Sequence, residues 1–76
     1  MSDVGATYLL YNYLHEDEAQ IMALSFKVVG PDAIEVGEVY ASPEYANPSR
    51  VFTRQEARNL WKKKISEKYW FPEPRH

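Results

Sequence analysis

Ala19-Gln-Ile-Met-Ala-Leu-Ser-Phe-Lys-Val-Val29 decides how the rest of the chain is organised. Gln20, Met22, Leu24, Phe26 and Val28 point one way, and Ile21, Ala23, Ser25, Lys27 and Val29 the other, which is the period of two that a strand imposes. This is a long strand over 19–29. Upstream, Thr7-Tyr-Leu-Leu-Tyr-Asn-Tyr-Leu14 is dense in aromatic and branched residues and predicts a strand over 7–14. The polar cluster His15-Glu-Asp-Glu18 between them reads as a turn, so the two strands form a hairpin. Downstream, Gly30-Pro-Asp-Ala33 has turn chemistry, with proline pre-setting φ. Ile34 to Ala41 then gives a third strand over 34–41, in which Gly37 interrupts the alternation and marks a bulge. Sequential strands with short connections pair as antiparallel neighbours, so a three-stranded meander is expected.

A different pattern takes over after the Pro- and Ser-containing connection 42–49. Thr53-Arg-Gln-Glu56 fits a capping box, in which the Thr53 hydroxyl accepts from the Glu56 amide and the Glu56 carboxylate from the Thr53 amide. Phe52 and Ala57 are placed for a hydrophobic staple across that start. Ala57, Leu60, Trp61, Ile65 and Tyr69 then follow the spacing of one apolar helical stripe, with Arg54, Arg58, Lys62 and Lys63 largely outside it. A helix over 53–69 follows, stopped by Pro72 and Pro74, with 72–76 as an extended tail. The fold class is therefore α+β: a three-stranded antiparallel β-meander followed by one C-terminal amphipathic helix (βββα), in two layers and a single domain over 1–76. Its core is expected from Leu10, Leu14, Met22, Leu24, Phe26, Val28, Ile34, Val36, Ala57, Leu60, Trp61 and Ile65.

Composition limits what such a domain does. With 76 residues there is room for one small domain, and 45% hydrophobic residues with eleven aromatics are enough to fill a core. Without cysteine there is neither a disulfide nor a thiolate zinc site, which favours a reducing cytoplasm. No apolar run approaches the ~20 residues of a membrane span. Charge is divided unevenly. Residues 1–49 carry one cation, Lys27, against eight carboxylates, a net of −7; residues 50–76 carry eight cations against three carboxylates, a net of +5. Such asymmetry steers charged partners or supports head-to-tail self-association.

The functional expectation comes from areas. A helix over 54–69 is about 24 Å long and ~10 Å across. Three strands of eight residues make a sheet about 27 Å by ~14 Å. One helix covers most of one face and almost nothing of the other. Strand one places Tyr8, Leu10 and Leu14 on one side and Leu9, Tyr11 and Tyr13 on the other, while strand two adds Ile21, Ala23 and Val29 to the second side. An uncovered, tyrosine-bearing patch is the signature of a partner surface. The competing arrangement has Trp70-Phe71-Pro72 and the 42–49 loop folding over that face.

Catalytic and metal chemistry finds little support. His15 and His76 are the only histidines, in a turn and at the last position, and neither has a second histidine at ligand spacing. Gly5, Gly30 and Gly37 are isolated, so no phosphate-cradling loop exists. The expectation is a non-enzymatic module with no catalytic residue, cofactor or metal. Its partner-binding residues are Tyr11 and Tyr13 as anchors and Arg54, Arg58, Lys62 and Lys63 as an acidic-partner steering face. The partner is a protein or a second copy of the chain. The alternative is nucleic-acid binding along the basic helix 54–68, opposed by the acidic strands and a pI of about 5.6.

Thr53-Arg-Gln-Glu-Ala-Arg-Asn-Leu-Trp61, with Ile65 and the exit Tyr69-Trp70, resembles a C-terminal pattern in short cyanobacterial and cyanophage proteins. There a Thr or Ser cap, an acidic-Ala-Arg run, a Leu-Trp pair and a closing Gly-Trp recur; here Tyr69 stands in place of the glycine. The likeness covers residues 50–71. It implies a cyanobacterial or phage-infected cytoplasm, in which some small proteins regulate metabolic enzymes such as nitrite reductase in nitrogen assimilation and others attach to photosynthetic complexes.

Overall fold

The computed structural model describes residues 3–13, 20–45 and 47–72. Its elements run β1 (Thr7–Asn12), β2 (Ile21–Gly30), β3 (Ala33–Tyr40), a 3-10 turn (Pro43–Tyr45), β4 (Arg50–Phe52), α1 (Arg54–Ser66) and β5 (Trp70–Pro72). The class is α+β, but the sheet has five strands in the order β4-β3-β2-β1-β5, all antiparallel. The expected meander forms its centre. Two three-residue strands, neither anticipated, extend it at both edges.

The helix is not the last element. Its start follows the capping box: the Glu56 amide donates to the Thr53 hydroxyl at 3.2 Å and the Thr53 amide to the Glu56 carboxylate at 3.0 Å. Its end comes at Ser66 rather than 69. Glu67 is extended (φ −81°, ψ 126°) and its N–H closes on the Lys64 carbonyl. The Trp70 amide then donates to the Glu67 carbonyl, and β5 runs antiparallel to β1 with Asn12 opposite Trp70, Tyr11 opposite Phe71 and Leu10 opposite Pro72. A β-prone aromatic run beside an open strand edge gains sheet hydrogen bonds that another helical turn does not offer, and Pro72, lacking an N–H, suits an edge.

The helix packs on one face of the sheet. Leu10, Leu24, Phe26, Val28, Ile34, Val36, Ala57 and Trp70 form the buried cluster, flanked by Tyr8, Ile21, Phe52, Leu60, Trp61 and Tyr69. Each fully buried aliphatic or aromatic side chain contributes about 1.5–3 kcal/mol, and Trp61 stands edge-on to Phe26 with centroids 5.1 Å apart. Ile65 is left 42% exposed. Trp70, which is not among the expected core residues, is buried instead, because the chain turns back under the helix end and Lys64 covers the indole at 5.1 Å. Leu14 and residues 73–76 of the expected tail lie outside the described residues, as does the 15–18 turn; Pro72 belongs to β5.

Two further expectations change. The bulge is not at Gly37, which pairs in register with Ser25; register slips instead between Ile21 and Ala23 and between Val28 and Gly30. The first slip rotates Ile21 onto the helix-covered face, where it packs against the core, rather than the second face. Gly37 serves a close approach: a Cβ there would lie 3.0 Å from the Ser25 hydroxyl oxygen.

Candidate functional site

Strand register lays out the uncovered face in rows. Since Leu10, Leu24, Phe26, Val28, Ile34 and Val36 point toward the helix, their neighbours in sequence point away. One row crosses four strands as Phe71, Tyr11, Ala23 and Val39. The next is Leu9, Ser25 and Gly37, and the third is Thr7, Lys27, Glu35 and Val51. The face is thus graded: aromatic and aliphatic at one end, small in the middle, and charged at the far end, where Lys27 and Glu35 are direct cross-strand partners.

Tyr13 continues the aromatic end. Its amide donates to the Tyr69 carbonyl at 2.9 Å, which ties it to the start of β5. Its ring lies 5.3 Å from Phe71, near-perpendicular, and 6.4 Å from Tyr11. Tyr13 is 52% exposed, Val29 42%, Val39 40% and Val51 62%. The 70–72 segment does not roof this face: it joins the edge, sending Trp70 into the core and Phe71 outward. The described part of the 42–49 loop serves the β3 edge instead. There the Asn47 backbone and side-chain amides both donate to the Glu38 carboxylate, at 3.3 and 3.0 Å.

Tyr11 and Tyr13 are therefore brought together, with Phe71 added. Alternation in β1 made the two tyrosines visible in sequence, whereas Phe71 depended on a strand pairing that no local signal announces. Arg54, Arg58, Lys62 and Lys63 are not brought to this face; they sit on α1, in the opposite layer. Lys62 and Lys63 are exposed. Arg54 is held at the helix start, where its amide donates to the Asp32 carboxylate at 3.0 Å and its Nε to the Pro31 carbonyl. Arg54 and Arg58 line a cleft of about 310 Å³ with Tyr8, Ile34 and Trp61. The anchors and the steering cations expected from sequence thus form two surfaces, not one.

Two tyrosines have shifted acidities. Burial, then the neighbouring Glu38 carboxylate that accepts its hydroxyl at 3.3 Å, pushes Tyr40 above the ordinary phenol value. For Tyr69 the hydrogen bond to Glu67, at 3.0 Å, is the main cause of a shift in the same direction. Neither tyrosine belongs to the aromatic end of the open face. Among the described residues no three His, Cys, Asp or Glu side chains are grouped to hold a metal ion, and no helix is long and apolar enough to cross a membrane. No protein-family model, curated protein or solved structure matches the chain.

Proposed function

We propose that this chain is a small non-enzymatic protein–protein interaction module that receives a protein partner on the open sheet face. The observation that carries this reading is the Tyr11–Tyr13–Phe71 cluster on a face that α1 leaves uncovered. Tyrosine and phenylalanine rings supply large contact area at low entropic cost, and the exposed Val39, in the same row across the sheet, extends the apolar ground. Lys27 and Glu35 carry opposite charges on facing positions of the sheet, at the end away from the aromatic cluster, so the aromatic end selects an apolar surface rather than a charged one. The basic row on α1 acts at longer range, drawing an acidic partner into encounter. The helix pattern suggests the setting: regulation of a cyanobacterial metabolic enzyme or attachment to a photosynthetic complex.

The test pairs capture with reconstitution. A protein captured by the wild-type chain from a cyanobacterial lysate is purified and its affinity measured against wild type and a Tyr11→Ser/Tyr13→Ser variant. At least tenfold weaker binding by the variant, with Tyr13 and Phe71 protected from radical oxidation in the complex, is the expected result. Equal affinity would overturn the reading, as would a chain that captures nothing and stays monomeric at high micromolar concentration. Low-salt affinity for duplex or single-stranded nucleic acid with a steep salt slope would move the function to the basic helix.

A further inference from the structure

The cleft between α1 and the sheet is a second candidate site, independent of the open face. Its walls are the half-buried Tyr8 and Trp61, above the fully buried Ile34, and its rim is Arg54 and Arg58, one helical turn apart. About 310 Å³ is at the lower end of the range of small-ligand pockets, which combine apolar walls with a few placed polar groups. The two arginines are not equivalent. Arg54 is anchored by the Pro31 carbonyl and lies beside Asp32, so its guanidinium is a fixed wall. Arg58 is exposed, and among the described residues no carboxylate is paired with it. A guanidinium without a partner at the mouth of an aromatic-walled cleft favours an anion, and its planar fork matches a carboxylate in two parallel hydrogen bonds.

We propose that this cleft binds a carboxylate attached to an aromatic or apolar group, with the carboxylate on Arg58 and the apolar body between Tyr8 and Trp61. A free organic acid and the terminal carboxylate of a peptide ending in an apolar residue share this chemistry. Trp61 gives the site its own reporter, since its indole N–H is observable by NMR alongside the Arg58 side-chain N–H.

The experiment titrates the whole chain with phenylacetate, with phenylacetamide, and with a short peptide ending in phenylalanine, as free acid and as amide. Shifts at Trp61 and Arg58 with phenylacetate at least tenfold stronger in affinity than with its amide establish the site for small acids. The same preference shown only by the peptide acid establishes it for a peptide terminus. Arg58→Gln should weaken the better ligand at least fivefold, and Lys62→Gln, which removes an equal charge outside the cleft, should change it no more than twofold. Equal binding of acid and amide would overturn the proposal, as would equal losses in the two variants or an absence of shifts at Trp61 with every probe.

Discussion

The two faces of one sheet are made from the same strands, yet they do different things. In β2, Leu24, Phe26 and Val28 are buried under the helix. Of the alternate residues, Lys27 and Val29 are exposed, Ser25 is half-buried and Ala23, between Tyr11 and Val39, is buried. The covered face is where folding free energy is gathered: apolar side chains leave water there and Trp61 closes over Phe26. The open face adds little to that sum, and its aromatic end is accordingly spare for binding. Residues that hold the fold and residues that meet a partner are thereby separated by the pleat alone.

The separation breaks if substitutions on both sides cost the same. Phe26→Ala should lose about 3–5 kcal/mol of stability, since it empties a fully buried aromatic site, and much of the chain should be unfolded at room temperature. Trp70→Ala should approach the same loss and release β5 from β1, as amide exchange at Tyr13 would report. On the open face, Tyr13→Ser should cost about 0.5 kcal/mol or less in urea unfolding. Tyr11→Ser should cost about 0.2–1 kcal/mol, the worth of a cross-strand pair.

Substitutions outside both faces of the sheet sharpen the contrast. Thr53→Ala removes the hydroxyl that caps α1 and should lower stability by about 1 kcal/mol, loosening the covered face while leaving Tyr11 and Phe71 as they were. Lys62→Glu with Lys63→Glu should slow partner association severalfold in stopped-flow measurements and leave the thermal midpoint within a few degrees of wild type, because both residues are exposed. The acidity shifts give a pH signature. Tyr40 and Tyr69 hold their protons more tightly when folded, so their contribution is fully present below the unfolded phenol value of 10.0 and is lost as pH rises through the raised values. Glu67→Gln should bring Tyr69 back toward 10.0, seen in the ultraviolet phenolate titration, and flatten the alkaline loss of stability.

How much of this was legible in the residues follows from the range of each interaction. The alternation of 19–29 and the capping box at Thr53 are local, and they placed β2, observed at Ile21–Gly30, and the helix start. The helix end was not local: Ile65 and Tyr69 continue the stripe in sequence, but pairing with β1 pulls the chain into β5, leaving Ile65 exposed and burying Trp70. β4 and β5 are three residues each and exist only through their partners. The same limit governs the sites. Tyr11 and Tyr13 follow from the parity of Leu10, whereas Phe71 joins them through pairing, Ile21 leaves the open face through a register slip, and the Arg58 cleft needs Tyr8 of β1 to meet Trp61 of α1.

Radical footprinting of the free, monomeric chain bears most directly on the role given to the open face. Tyr13 and Phe71 should oxidise quickly at native pH while Phe26 and Trp70 are spared, the ordering expected of an aromatic patch that no part of the molecule shelters. Tyr13 and Phe71 protected as strongly as Phe26 in a monomeric sample would mean the chain already shields them, and the docking face would not exist.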